Sequence, residues 1–335
     1  MKVLFYSGRP YDKISMESVN NGRHELNFIS PGLDERTASL AKGFPAVCGF
    51  VNDQFSADCL KILAEGGTKL VLLRSTGFNN VDLSAAEANG ITVMRVLSYS
   101  PYSVAEHAIA LAMALNRKLV RAYNRNREGY FLLDGLLGFD FNGKTFGIAG
   151  TGKIGTVLAK IANGLGCTLL GFDPYPSEAC KALGMTYVPF KDLLQQSDII
   201  SLHMPLTLET HHIINKKTLA LMKPGAMLIN TSRGPLIDSA ALVDALKSRH
   251  IGAAALDVYE EEEDVFYHDV SSTGIDDDVL ARLLTFPNVI VTSHQAYFTQ
   301  EALRDIATAT MQNVTDFEAG NTSTPNALRT VPART

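Results

Sequence analysis

Between Lys144 and Asp173 the chain reads KTFGIAGTGKIGTVLAKIANGLGCTLLGFD, and this stretch restricts the fold more than any other. An apolar run, Thr145 to Ala149, leads into Gly150, Gly152 and Gly155 at G-x-G-x-x-G spacing, after which Ile154, Val157, Leu158 and Ile161 recur at helical intervals. The spacing predicts a strand, a tight turn and a helix. The first glycine permits the turn, the second leaves room for a pyrophosphate beside the backbone, and the third lets helix and strand pack closely. Unbonded N–H groups at the helix start would then face phosphates. A second apolar run, Thr168 to Phe172, ends in Asp173, 23 positions after Gly150, where an acid accepts from ribose hydroxyls. A carboxylate there repels a 2′-phosphate, so NAD is expected and not NADP.

A rival reading fails on one residue. Gly147 to Lys153 also fits G-x-x-x-x-G-K, the opening of a nucleoside-triphosphate loop, but Ile154 stands where a magnesium-binding Ser or Thr is required.

At 335 residues there is chain enough for two domains. A net charge of −5 offers nothing to a phosphate backbone, which argues against nucleic acid as a partner. Cys48, Cys59, Cys167 and Cys180 are scattered without C-x-x-C pairing, which points away from a metal site or disulfide framework and toward a reducing compartment. No apolar run approaches membrane-spanning length and MKVLFYSG carries no cleavage pattern, so a cytoplasmic protein without membrane partners is expected.

From Lys2 to Val96 the runs KVLFYS, ELNFIS, AVCGF, KLVLLRS and ITVMRV alternate with helical segments such as Ala57 to Ala64 and Asp82 to Ala88. Such alternation implies a parallel sheet covered on both faces. Two loops follow its strands: Phe50 to Asp53, and Ser75 to Asn80, the second leading into a helix at Val81 and able to present N–H groups to an anion. A long helix is expected from Tyr102 to Arg127, with His107 packed inside its apolar stripe. Gly129 to Asn142 reads as a linker. Beyond the fingerprint come TYVP, DIISLH, AMLINTS, AAALDV and NVIVTS, and a last helix, Thr299 to Glu318, with no further strand to serve. That helix packing back on the first lobe would make the lobe discontinuous. The expectation is two Rossmann-like doubly wound α/β domains with a cleft between them: residues 1–100 plus 298–335 for substrate, and 101–297 for NAD.

Each strand of the second lobe ends in a polar residue: Asp173, His203, Ser232-Arg233, Asp257 and His294. The carboxyl ends of parallel strands face one crevice, so these residues converge. A nicotinamide cofactor exchanges a hydride, leaving the protein to supply a proton and hold the substrate. His294 suits the proton, being at a strand end and titrating near working pH. His203 is expected to line the cofactor, and His211-His212 to sit on the surface. Arg233 could bind a carboxylate and polarise a neighbouring carbonyl. A carboxylate partner for His294 lies among Glu260, Glu261, Glu262, Glu263 and Asp264, and the pattern does not choose among them.

The order of TGKIG, NTSRGPLID, DVYEEE and SHQAY, together with FVND, GFNNVDL and SVAEHA, resembles the D-isomer-specific 2-hydroxyacid dehydrogenases over essentially the whole chain, and within them the bacterial D-lactate-forming branch. The resemblance implies that Glu262 partners His294 and that Arg233 and His294 take the family's catalytic places. It implies that Thr76 and Gly77 hold the substrate carboxylate and that Tyr99, Phe50 and Tyr297 wall the pocket. It implies cofactor contacts from Lys153, Ile154, Asp173, Met204, Pro205, Thr210, Thr231, Ser232 and Asp257, and a homodimer or homotetramer. The activity it implies is reversible reduction of pyruvate to D-lactate by NADH. Another small keto acid (glyoxylate, hydroxypyruvate or a branched one) or a dinucleotide-sensing binding protein are the alternatives.

Overall fold

The computed structural model describes residues 1–262 and 265–329; Glu263 and Asp264 of the acidic run, and residues 330–335, lie outside the described residues. Two compact units are formed, one from Met1–Ser100 with the chain from Phe298 onward, the other from Pro101–Tyr297.

The first unit alternates β1 (Lys2–Phe5), α1 (Pro10–Asn20), β2 (Glu25–Phe28), β3 (Ala46–Gly49), α2 (Ala57–Glu65), β4 (Leu70–Leu73), α3 (Leu83–Ala88) and β5 (Thr92–Arg95). β3 and β4 are buried along their whole length, as central parallel strands covered on both faces must be. Ser56 accepts from the Cys59 N–H at the start of α2, and Asp82 from the Ala85 N–H at the start of α3. That cap sets the second helix at Leu83, two residues later than the sequence suggests.

The second unit opens with α4 (Pro101–Asn116) and α5 (Leu119–Arg127) and continues through β6 (Thr145–Ala149), α6 (Lys153–Gly164), β7 (Thr168–Phe172), α7 (Glu178–Ala182), β8 (Thr186–Tyr187), α8 (Phe190–Gln196) and β9 (Ile199–Leu202). It ends with α9 (Lys216–Leu219), β10 (Ala226–Asn230), α10 (Ser239–Lys247), β11 (Ile251–Leu256), α11 (Asp278–Thr285) and β12 (Val289–Val291). Its strands lie in the order β12-β11-β10-β9-β6-β7-β8 and pair in parallel. Order reverses between β6 and β9, the switch point at which such sheets bind dinucleotides. Phe146 and Ile148 of β6 form a core with Ala105, Ala108 and Ala112 of α4 and Leu158 and Ala159 of α6.

The expected single helix from Tyr102 to Arg127 is two. Asn116, 1% exposed, exchanges hydrogen bonds with the backbone of Phe139 (Nδ2 to O 2.6 Å, N to Oδ1 2.9 Å), and Lys118 takes a left-handed φ of 53°. A side chain satisfied by a distant loop ends the apolar stripe, and α5 buries no residue.

The chain then returns to the first unit with α12 (Gln300–Glu318), which packs on α1, β4 and β5, and β13 (Ala327–Leu328). β13 corrects the expectation that no strand follows the last helix: it pairs antiparallel with β5, giving the order β13-β5-β4-β3-β1-β2. Asn326 and Asn313 fix it, through Asn326 Nδ2 to Asn313 Oδ1 (2.7 Å) and Asn313 Nδ2 to the Arg95 carbonyl (3.0 Å).

Candidate active site

At the switch point the glycines have separate jobs. A Cβ on Gly155 would lie 2.0 Å from the Gly150 carbonyl oxygen, and one on Gly150, at φ +95°, would lie 2.4 Å from the His203 carbonyl oxygen. Gly152, the N-cap of α6, has nothing within 4 Å of its Cβ position. The turn is therefore tight where it meets helix and strand and open where the helix N–H groups emerge, which fits a pyrophosphate. Asp173 accepts from the Thr151 N–H (2.6 Å) and hydroxyl (3.1 Å) through Oδ2 and from the Tyr175 N–H (2.8 Å) through Oδ1. A carboxylate has about four acceptor positions, so capacity remains for ribose hydroxyls. The buried Thr231 hydroxyl lacks a protein partner and offers a further polar contact at the end of β10.

Around that turn, Ser232 Oγ donates to the Met204 carbonyl (2.7 Å), and Thr210 Oγ1 to the Pro205 carbonyl (2.7 Å). Ile154 packs on the core, whereas Lys153 is exposed at the helix start. His203 bonds Ser201 Oγ through Nε2 (2.7 Å), and burial pushes its imidazole down to about 4, leaving it neutral at working pH.

His294 stands two residues after Thr292, just past β12, in a left-handed conformation (φ 51°). Its N–H donates to the Asp257 carbonyl (2.7 Å), and its own carbonyl accepts from the Tyr267 hydroxyl (2.9 Å). Its Nδ1 lies 2.7 Å from Glu262 Oε1, while Glu262 Oε2 accepts from the Tyr259 N–H at 2.9 Å. Both side chains are mostly buried, 18% and 23% exposed. Nδ1 is thus committed to a carboxylate, which orients the ring and leaves Nε2 for chemistry.

Asp257 holds this turn. Fully buried, it accepts from Thr292 Oγ1 (2.6 Å) and the Gln295 N–H (2.9 Å) through Oδ1 and from the Ala296 N–H (2.9 Å) through Oδ2, with His107 Nε2 3.2 Å from Oδ1. Burial raises its pKa, but the hydrogen bonds from His107, Thr292, Ala296 and Gln295 outweigh burial and keep it below the usual carboxylate range. The residue read from sequence as a cofactor contact spends its carboxylate inside the protein, and His107 braces it. Neither Asp257's hub role nor Tyr267's contact is signalled by sequence pattern.

Arg233 follows β10 and donates from Nη1 to the Ser232 carbonyl (2.6 Å). A Cβ on the next residue, Gly234, would fall 1.9 Å from the Tyr259 carbonyl oxygen, so this glycine brings the arginine's loop against the segment that carries Glu262. His212, expected at the surface, is half-buried and bonded to Glu260, whereas His211 is exposed.

In the first unit, the Arg95 guanidinium donates to the Thr76 carbonyl (2.7 Å) and Ser75 Oγ to the Gly77 carbonyl (2.9 Å), bonds in which the N–H groups of Thr76 and Gly77 take no part. Phe50 is 7% exposed beneath Arg74, 4.9 Å from its ring centre; Tyr99 is half-buried. Tyr297, in the second unit, is half-buried as well.

The profile of the D-isomer specific 2-hydroxyacid dehydrogenase NAD binding domain matches residues 109–296. The chain belongs to the D-isomer-specific 2-hydroxyacid dehydrogenase family. It is an NAD-dependent oxidoreductase. The dehydrogenase is 49% identical over 329 residues to the D-lactate dehydrogenase of Escherichia coli, covering 98% of this chain and 100% of the relative. It is 50% identical over 323 residues to 2-hydroxyacid dehydrogenase homolog 1 of Schizosaccharomyces pombe, covering 96% and 97%. The apo-structure of the E. coli enzyme superposes with a TM-score of 0.90 at 47% identity, covering 98% of this chain and 100% of that one. No helix among the described residues is long and apolar enough to cross a membrane.

Proposed function

We propose that this dehydrogenase interconverts pyruvate and D-lactate. The observation that carries the reading is the 2.7 Å contact of His294 Nδ1 with Glu262, in a family member about half identical to a D-lactate dehydrogenase from end to end. When bound, the nicotinamide supplies or takes back the hydride. Arg233 binds the substrate carboxylate and polarises the adjacent carbonyl through its planar fork. His294 gives the proton to the carbonyl oxygen from Nε2, and Glu262 holds the imidazole in that tautomer and stabilises its charged form.

The second unit is read as the NAD domain. Gly150, Gly152, Lys153, Ile154 and Gly155 meet the pyrophosphate and Asp173 the ribose, while His203, Met204, Pro205, Thr210, Thr231 and Ser232 line the rest and Asp257 positions the His294 turn. The first unit is read as the substrate domain, with the N–H groups of Thr76 and Gly77 on the carboxylate. Phe50, Tyr99 and Tyr297 are read as walls against larger side chains. A homo-oligomer is supported by the apolar surface after α4, where Leu119, Tyr123, Phe131, Leu133 and Leu137 are 55%, 61%, 72%, 81% and 90% exposed. The unpaired buried thiols are compatible with a reducing cytoplasm.

NADH oxidation followed with pyruvate, glyoxylate, hydroxypyruvate and 2-ketoisocaproate, with chiral analysis of the product, tests the reading. The highest kcat/KM is expected for pyruvate and the product is expected to be the D isomer. A preference for a larger keto acid, or L-lactate as product, overturns it.

A further inference from the structure

The amino edge of the second unit's sheet carries a concentration of positive charge. A cavity of about 490 Å³ there is lined by Lys118, Arg121, Lys247, Arg249 and Arg282, with no carboxylate in its wall. Its floor includes Ile251, the first residue of β11, and Asn288, just before β12. The glycine turn follows the carboxyl end of β6 in the same parallel sheet, so the cavity and the dinucleotide fingerprint lie at opposite edges.

The five cations are poorly neutralised. Only Lys247 has an ion-pair partner among the described residues, Asp244 at 3.6 Å, and both of those side chains are more than half exposed. Lys118 Nζ donates to the Leu115 carbonyl (3.1 Å), and burial followed by the neighbouring Arg121 holds its ammonium below the usual lysine range. Arg282 leans over the Phe286 ring (4.7 Å). Lys247 and Arg282 occupy the last turns of α10 and α11, where cations complement the helix dipole. That accounts for two of the five. Lys118 and Arg249 instead follow helices in left-handed conformations (φ 53° and 59°), and Arg121 lies within α5. Like charges gathered around one concavity repel unless an anion joins them, and three arginine forks match oxyanion geometry. The volume suits a small ligand.

We propose that this cavity binds a compact polyanion carrying two or more phosphate or carboxylate groups, at a site separate from the dinucleotide and substrate sites. Titration calorimetry on the full chain saturated with NADH, at low ionic strength, tests it with tripolyphosphate, citrate and inorganic phosphate as probes. One site per chain is expected, with tripolyphosphate or citrate bound at least about tenfold more tightly than inorganic phosphate and weakened by added salt. The stronger of the two tells an organic phosphate from a polycarboxylate. Arg249→Gly removes a charge at a backbone conformation glycine prefers, so folding is retained. That variant, and separately Arg282→Gln, should each weaken the polyanion by about tenfold, the loss of one charged hydrogen bond, with NADH turnover unchanged. Neither polyanion binding the NADH-saturated protein, or both variants binding it as the parent does, overturns the proposal.

Discussion

Glu260 and Glu262 stand two residues apart in one acidic run, and each holds a histidine delivered from elsewhere in the second unit. Burial does not separate the pairs: the side chains are 33% and 21% exposed for His212 and Glu260, and 18% and 23% for His294 and Glu262. Both histidines are left-handed, at φ 49° and 51°. What differs is the nitrogen engaged and the company it keeps. His212 gives Nε2 to Glu260, whose other oxygen accepts from Ser239 at the start of α10, and the His212 N–H donates to the Pro235 carbonyl (2.8 Å). That pair fastens a loop to a helix. His294 gives Nδ1 to Glu262, and its backbone is held by Asp257 and Tyr267, so the ring is fixed from behind. The same two residue types make a brace in one place and, on the proposed reading, a proton donor in the other.

The largest effect expected on that distinction comes from His294→Asn. Asparagine tolerates the left-handed backbone, so the imidazole is removed without added strain. Turnover should fall by roughly two to four powers of ten while NADH still binds, as measured by steady-state kinetics and NADH fluorescence. Equal losses from His212→Asn would erase the contrast.

How far the chain discloses this in advance depends on the range of each interaction. The Gly150, Gly152 and Gly155 spacing is legible because the turn it makes is local and the strand-to-helix order around it follows from local periodicity, although the close approach of Gly150 to the His203 carbonyl is not. The partner of His294 is not, since five consecutive acids look alike until the Tyr259 N–H fixes Glu262; only family resemblance singles it out. The break at Lys118 depends on Phe139 reaching Asn116, and β13 is two residues long with pairing supplied by Asn313 and Asn326. Asp257 is visible as a strand-end acid, but its donors come from 35 to 39 residues downstream and from His107. Periodicity carries no information at such separations.

Glu262→Gln sharpens the comparison at a smaller scale. The amide keeps the shape and loses the charge, so the contact to His294 Nδ1 is no longer charge-assisted. We expect kcat to fall about tenfold to a hundredfold while NADH still binds, as read by steady-state kinetics and NADH fluorescence. A kcat equal to the parent's would remove Glu262 from the proton's control.

His203 supplies an effect on stability without one on the proton donor. Its pKa, about 4 in the fold, lies below the ordinary value of 6.5, so the unfolded chain binds the extra proton in between. That contribution is complete above pH 6.5 and is lost as pH falls toward 4, by up to roughly 3 kcal/mol. Asp257 acts in another window, since its depressed pKa costs stability only below the usual carboxylate range. Urea unfolding of His203→Gln should show a flatter slope between pH 6.5 and 4, and an unchanged slope would assign the acid sensitivity to other groups.

The smallest effect on turnover belongs to His212→Gln. Its glutamine can still donate to Glu260, but the ring is lost, and the brace between the loop after β9 and the start of α10 weakens. We expect kcat within about twofold of the parent and a loss of about 1 kcal/mol in urea unfolding, the scale of one partly exposed charged hydrogen bond. Since Glu260 and Glu262 share one short segment, a loosened Glu260 is also the most direct route by which a structural change could reach His294. A fall in kcat comparable to that of Glu262→Gln, with stability preserved, would therefore mean that the two pairs work as one unit and that the division between brace and donor does not hold.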